Sequence, residues 1–499
     1  MKRIGFLILF WAFACVSRAQ SHQPYLVADF SEQDLQTMLD LCHQGGFEWL
    51  VVKTPFSTYG HYEWNESFAP EGDLSVRRMV QTAKDQEVKL GLMIQEDAIS
   101  LNDAYFAPKY FNQYQRSEQL KLFDEMDAED VDIALYRDEA LKSLTSLNLL
   151  QIDDELISIG TMEHAGDLVL LHRCSRGLYG TPRTHHGVNA KVYRIWDSPD
   201  RFVIPDGELR EAVRQQLVDR LECGNVSLVL HKGAPGQEML DKSIRVRQVE
   251  RWTEEGVNNN TLGWFMIHAS DKKRTATSTE DLEWMLSKAS AYDASYGMLL
   301  DPKAMKNLGS MPDMLVLMKR WNKLTRSGAF TASQQELMKD PYMDWHLEQQ
   351  GDSLFKLYPM HISRRYQCAF QEVDTGFLKS EPWAWNVEED GCFGLRLNVE
   401  GEVEVTNPMI NTTKGLVMFP CTLKPGQLLV YDFGENAYVM DANYNKLRTV
   451  TVEGLPELAQ GDNEVAFFCE VDPSVEQHPV VKLRYITRER PFVIHPHKL

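Results

Sequence analysis

Short apolar runs alternate with amphipathic stretches along the first third of the chain, most clearly between residues 46 and 97. Phe47–Lys53 and Val88–Ile94 are runs of strand type, and Asp73–Glu87 between them carries its apolar residues at helical spacing. Each run ends in polar and aromatic residues: Lys53, Thr54 and Tyr59 to Trp64 after the first, Gln95, Glu96 and Asp97 after the second. Two parallel strands joined by a helix give this pattern, with chemistry-capable side chains collected at one sheet edge. In a (β/α) barrel that edge carries ligands and catalytic groups. Upstream, Tyr25–Phe30 predicts a strand and Ser31 an N-cap with acids in the first turn. Leu35, Met38, Leu39 and Cys42 then recur at helical spacing until Gly45-Gly46 ends the helix. Asn102 to Tyr114 predicts a long aromatic loop over the strand ends.

The period changes between about 143 and 196. Leu149–Ile152, Leu156–Ile159, Leu168–His172 and Ala190–Ile195 are turn-separated β-type runs, which predict a small all-β insertion. Asp153, Asp154 and Glu155 fall at a hairpin turn and are expected to be solvated there. From 197 to 330 helix and strand patterns alternate again, with strands near residues 228, 264 and 298. With those near 26, 50 and 91, six strands are expected, where a closed barrel has eight. Either two strands escape the pattern or the barrel is incomplete. From 340 to 490 short β-type runs return, seven of them between Cys392 and Thr487, and predict a β-sandwich. The expected fold is therefore α/β plus β: a first barrel part over 20–142, the insertion over 143–196, a second barrel part over 197–330 and a C-terminal sandwich.

Residues 1–19 fall outside this scheme. Lys2 and Arg3, the apolar run Ile4–Val16 and Ser17-Arg18-Ala19 have the three parts of a secretory signal, with cleavage expected near Ala19. Ala12-Phe13-Ala14 is a poor lipoprotein box before Cys15, so lipidation is the weaker reading, and a secreted or periplasmic location is expected. No other run approaches the ~20 apolar residues of a spanning helix. The formal charge of −20 becomes −23 once Lys2, Arg3 and Arg18 are removed. With no basic stripe to offset that charge, nucleic acid and anionic membranes are disfavoured as partners, and neutral ligands fit better. The seven remaining cysteines show no CxxC or CxxH spacing; most are expected as buried thiols, and one disulfide is conceivable among Cys368, Cys392, Cys421 and Cys469.

The segment GFEWLVVKTPFSTYGHYEWN with VKLGLMI resembles the N-terminal barrel half of α-galactosidase-like glycoside hydrolases from Bacteroidetes-type polysaccharide utilisation systems. IDDELISIG with CSRGLYGTPRTHHG is similar to the β-insert of that secreted group. LGWFMI with STEDLEWMLSKASAYDASYGMLL is similar to its last barrel strands, and LKPGQLLVYDFGENAYVMDANYN to its C-terminal sandwich. The resemblance implies a TIM-like barrel acting on a neutral poly- or oligosaccharide. One departure counts against hydrolysis. The family's nucleophile is an Asp at the end of the strand after the insert, in a run like ISFDG; here that run is VSLVLHKG, with Val229 in the carboxylate's place. Only about thirty residues then precede the LGWF strand, too few for two ordinary βα units at ~30 residues each. No family catalytic residue carries over to a matching position.

Glycoside hydrolysis ordinarily needs two carboxyl groups ~5–10 Å apart. The strand-end candidates are Asp29, Glu96, Asp97 and Asp301, with Glu96 or Asp97 paired with Asp29 or Asp301. The competing reading makes them helix caps or a polar rim. Tyr59, His61, Tyr62 and Trp64 are candidates for sugar stacking and hydroxyl recognition, joined by His231, Lys232, Trp264 and His268 on neighbouring strand ends; the alternative for the aromatic residues is core packing. No Gly-rich phosphate loop follows a strand, no HExxH or GxSxG occurs, and no third ligand is spaced to complete His185-His186, so neither cofactor nor metal is expected. Two functions remain open: a secreted glycoside hydrolase, or an inactive barrel relative that binds or scaffolds carbohydrate.

Overall fold

The computed structural model describes residues 22–495 except 115, 117–118, 138–148, 196, 199–200, 227, 232–238, 258–259, 301 and 352. The expected leader, 1–19, lies outside the described residues. The chain divides into two compact units: one holds residues up to 28, 37–50 and from 235 onward, the other 29–36 and 51–234.

All six expected parallel strands form: β1 (Tyr25–Ala28), β2 (Trp49–Val52), β3 (Lys89–Ile94), β4 (Leu228–His231), β5 (Thr261–Ile267) and β6 (Ser295–Leu300). The division between units passes through β2, after Leu50. In the second unit the strand order is β4-β3-β2, and β4 runs parallel to β3 from Leu228 opposite Gly91 to His231 opposite Ile94. Apolar side chains fill both faces of β2 and β3, as in parallel sheets covered on both sides. Helix α1 (Leu35–Gly45) follows β1, and helix α2 (Asp73–Asp85) follows β2 and buries Val76, Met79 and Ala83, a 3-4 spacing that places them on one stripe. Helix α3 (Glu208–Gly224) precedes β4, buries Leu209, Val213 and Leu217, and ends on Asn225 in the left-handed region.

The insertion folds as two antiparallel sheets around a core of Leu120, Ile133, Leu135, Leu150, Ile152, Val169, Leu171 and Val192. Leu120–Lys121 pairs with Lys191–Ile195, and Ile133–Tyr136 with Leu168–His172. The β region therefore begins well before residue 143; strands of two and four residues leave too little alternation to register in the sequence.

In the first unit β6 lies between β1 and β5, all parallel, with Leu26 opposite Met298 and Phe265 opposite the same residue. Helix α4 (Arg245–Glu255) precedes β5. Helix α5 (Thr279–Ala291) starts in a capping box between Ser278 and Asp281 and is buried at every position from Leu282 to Ala291. Helix α6 (Met311–Arg326) is apolar on one side only.

Beyond it, two antiparallel sheets of ten and seven strands enclose one apolar core. Six strands between Asp344 and Val387 precede the first run visible in the sequence. β7 (Gly391–Glu400) pairs along its length with β9 (Val480–Arg488), and β8 (Leu428–Tyr431) lies on the other side of β7. Cys42, Cys174, Cys223, Cys368, Cys392, Cys421 and Cys469 are all free thiols, so the conceivable C-terminal disulfide does not form. No helix among the described residues is long and apolar enough to cross a membrane.

Candidate functional site

The second unit concentrates polar chemistry at the C-terminal ends of β2 and β3. After β2 the chain makes a narrow excursion: Phe56 bridges Trp64, Ser57 N–H donates to Glu63 O at 2.9 Å, and Asn65 N–H to Pro55 O at 2.9 Å. Its tip is fastened to the segment after β3. Tyr59 N–H donates to Ser100 Oγ at 2.8 Å, and Ser100 N–H returns to Tyr59 O at 2.9 Å. Gly60 has φ +125°, and a Cβ there would lie 2.5 Å from Asp103 Oδ1. Only glycine allows that carboxylate to come so close to the backbone.

Asp103 organises what surrounds it. Its side chain is 1 % exposed; it accepts from His61 N–H and Tyr105 N–H, each at 2.8 Å, and Oδ1 contacts His61 Nδ1 at 2.8 Å. A carboxylate can only accept here, so Nδ1 carries a proton and Nε2 is left for another partner. The His61 side chain is 37 % exposed and stacks on Tyr105, with ring centroids 4.3 Å apart. Tyr110 meets Tyr105 edge-on at 5.5 Å, and both rings are half-buried. The phenol of Tyr105 is shifted upward by burial and by its neighbours Tyr110 and Asp103. His61, Tyr105 and Tyr110 thus form a half-exposed aromatic platform with one fixed imidazole. Asp103, Tyr105 and Tyr110 escaped the sequence reading, although they lie in the aromatic loop it identified; the signal was the aromatic density of Asn102 to Tyr114, and its anchor was a single Asp in a polar run.

The other aromatic candidates have a different job. Tyr59, Tyr62 and Trp64 are buried, and their faces are taken by neighbours: Phe56 stacks on Trp64 at 4.9 Å, and Tyr62 meets Phe56 and Tyr59 edge-on. The Tyr62 hydroxyl donates to Gln95 O at 2.9 Å, and Trp64 Nε1 donates to Asp73 Oδ1 at 2.6 Å. All three are core residues, and the polar tips of Tyr62 and Trp64 are satisfied there, so the stacking role expected of the three is corrected. Tyr62 also holds a left-handed backbone at φ +53°, uncommon for a bulky residue. Its phenol is pushed well up by burial, with the charges of Glu96, Asp97 and Asp103 adding to the effect.

The carboxylates nominated for catalysis are largely engaged. Asp29 Oδ1 accepts from Thr54 N–H at 2.7 Å and from Thr54 Oγ1 at 2.6 Å, which ties the loop after β2. Glu96 faces two guanidinium groups from α3, Arg214 at 3.5 Å and Arg210 at 3.9 Å. Asp97 shares its turn, and its backbone O accepts from Ile204 N–H at 2.7 Å; its side chain forms no ion pair among the described residues. Asp301 and Lys232 lie outside the described residues, as do the side chains of Val229 and His231. In the first unit, Trp264 is buried within β5 and belongs to the core. His268 Nδ1 lies 3.3 Å from Ala269 O and its N–H donates to Thr277 Oγ1 at 3.0 Å, so its ring is held by its own loop.

The insertion corrects a further expectation. Glu155 is fully buried, not solvated. Arg176 grips it with Nε at 2.7 Å and Nη2 at 2.8 Å, His186 Nε2 lies 2.8 Å away, and Gly177 N–H donates to it at 2.9 Å. Burial alone would raise this carboxyl; Arg176 and His186 outweigh it and hold it below the usual range. Asp153 stays exposed and accepts from the other ring nitrogen of His186. No group of three or more His, Cys, Asp or Glu suited to a metal ion occurs among the described residues.

No family model matches the chain, and none of the curated proteins matches it significantly. Among solved structures, it is similar to a noncanonic maltogenic alpha-amylase from Thermotoga neapolitana at 7 % identity, with a TM-score of 0.36 over 93 % of this chain and 98 % of that one. It is similar to an alpha-galactosidase from Lactobacillus brevis at 9 % identity and TM-score 0.32; 93 % of this chain covers 56 % of that protein, so it spans little more than half the latter's length. A pyruvate kinase from Cryptosporidium parvum also matches, at 11 % identity and TM-score 0.26 over 66 % of this chain and 74 % of that one.

Proposed function

We propose that this is a carbohydrate-binding protein on a glycoside-hydrolase-like scaffold, and that the β2–β3 rim of its second unit holds a neutral poly- or oligosaccharide without cleaving it. The observation that carries the reading is the aromatic platform of His61, Tyr105 and Tyr110, anchored by the buried Asp103 beside acids that are already engaged. An aromatic face offers an apolar surface to the C–H face of a pyranose, and the fixed imidazole Nε2 offers one directional hydrogen bond to a hydroxyl. Hydrolysis needs a proton donor and a nucleophile or base on opposite sides of the bond. With Glu96 between Arg210 and Arg214 and Asp29 spent on Thr54, the nominated acids among the described residues leave only Asp97 unengaged, which is one carboxylate short of a pair. The parent scaffold is read as an incomplete (β/α) barrel of six strands, and the leader sequence directs the protein to the periplasm or the exterior.

A second reading, hydrolysis of an O-glycosyl bond, is favoured by Asp97, a rim acid without an ion pair among the described residues. Calorimetric titration with neutral oligosaccharides, run beside a panel of aryl glycosides, separates the two. Binding without turnover is expected. Turnover that disappears in Asp97→Asn would establish the hydrolase instead.

A further inference from the structure

A cavity of about 340 Å³ lies wholly within the first unit, between the start of α5 and the outer face of β7, β8 and β9. That volume is at the small end of the ~300–1,000 Å³ typical of small-molecule pockets. Its wall follows from strand alternation. On β9, Leu483 and Tyr485 point into the sandwich core, so Lys482, Arg484 and Ile486 point outward into the cavity. The register of β7 against β9 places Arg396 directly opposite Arg484 and Asn398 opposite Lys482.

Two arginines facing each other across a strand pair repel, and such pairs are destabilising unless compensated. Arg396 is compensated: its Nε donates to Glu280 Oε1 at 2.8 Å and its Nη2 to Asp432 Oδ1 at 2.5 Å. Burial would raise the Glu280 carboxyl, but Arg396 overrides it and brings it to about 2. Lys482 pairs with Glu400 at 2.5 Å, and Lys242 with Asp344 at 2.5 Å. Asp281 is occupied with the Ser278 cap. Arg484 and Arg365 form no ion pair among the described residues, and both line the cavity. Tyr444 completes the wall. Its backbone is left-handed at φ +58°, in a loop where Asp441 Oδ1 accepts from Asn443 N–H at 2.8 Å and from Asn445 N–H at 3.0 Å. Burial and the charges of Glu280 and Asp281 push its phenol up, while Arg396 and Arg484 act the other way; all four line the same cavity as the ring.

We propose that this cavity binds a small hydroxylated carboxylate of sugar-acid size, its carboxylate paired with Arg484 and Arg365 and a hydroxyl or ring oxygen meeting Tyr444. Planar guanidinium groups match a carboxylate through paired hydrogen bonds. The flanking Glu280, Asp281 and Glu400 oppose a more highly charged anion such as phosphate. The proposal does not depend on the rim described above, because the two sites share no residue.

The test is calorimetric titration of the full chain with D-glucuronate, D-glucose and inorganic phosphate. Binding of glucuronate over the other two is expected, weakened about tenfold or more in Arg484→Gln and in Arg365→Gln. Both variants change exposed side chains, and circular dichroism verifies that each keeps the parental fold. Tyr444→Phe should weaken binding less than either. Equal binding of glucose or phosphate, undetectable glucuronate binding, or glucuronate binding indifferent to both arginine variants would overturn the proposal. None of the three variants should alter neutral-oligosaccharide binding at Tyr105, so the two sites fail or stand separately.

Discussion

Two histidine–carboxylate clusters in the same unit differ in one respect. Glu155, Arg176 and His186 in the insertion are all buried, and each strong donor and acceptor has a protein partner: Arg176 also donates to Asp127 O, Asp130 O and Thr184 O, and both His186 nitrogens are spent on Asp153 and Glu155. Asp103 and His61 at the rim have the same chemistry, yet the His61 ring is partly exposed and stacked on Tyr105, and its second nitrogen has no hydrogen bond among the described residues. The first cluster spends all its bonding capacity on the fold. The second keeps one directional group in reserve. Unspent capacity at a fixed position, more than residue type, distinguishes a recognition site from a structural knot.

The comparison breaks most readily at the insertion. Arg176→Met leaves Glu155 buried without its cation, and losing one member of a buried ion pair costs ~3–5 kcal/mol. Denaturant unfolding should show that loss, with the insertion cleaved first in limited proteolysis. The same pairing makes the insertion acid-sensitive. The folded-state carboxyl of Glu155 lies below its ordinary 4.5, so its contribution is present above that value and is lost as pH falls through the lower folded value. Acid-induced loss of the insertion, followed by near-UV circular dichroism, should begin at a higher pH in Glu155→Gln.

Asp103→Asn at the rim should be milder for stability and sharper for recognition. It weakens two or three buried hydrogen bonds, at ~1 kcal/mol each, and frees the His61 ring to turn. Oligosaccharide affinity should fall about tenfold, the equivalent of ~1.4 kcal/mol, while Glu155→Gln should leave affinity unchanged.

In the first unit, His346 Nδ1 lies 2.7 Å from Glu283, which also accepts from Trp321 Nε1 at 3.1 Å and Leu347 N–H at 2.9 Å. The Glu283 charge raises the imidazole to about 9. A raised histidine stabilises fully below its ordinary 6.5, and that contribution disappears as pH climbs through about 9. The difference in melting temperature between the parent and His346→Gln should therefore be widest below pH 6.5 and close by pH 9 and above. Smallest of all, Glu96→Gln removes a half-exposed ion pair and should change stability by less than ~1 kcal/mol.

The parallel strands were legible because buried apolar runs between amphipathic helices leave a strong pattern. The long strands of the sandwich were legible for the same reason, through Leu395, Leu397 and Val399 alternating on β7. The six strands from Asp344 to Val387 were not, because charged residues such as the exposed Glu372 and the half-buried Lys379 interrupt them. At the site, His61 could be picked out as a residue type at a strand end. Its difference from Tyr59, Tyr62 and Trp64 could not, because which ring faces inward depends on the tight turn at Gly60 and the clamp to Ser100, both tertiary. Asp103 was invisible for the same reason, being forty-two residues from its partner.

The central claim is that the rim recognises sugar through Tyr105. Titrating one neutral oligosaccharide ligand into the parent and into Tyr105→Ala measures it directly. The account predicts that affinity falls at least tenfold, since losing one aromatic stacking surface at a binding centre costs about 2 kcal/mol or more. Unchanged affinity in Tyr105→Ala would contradict it.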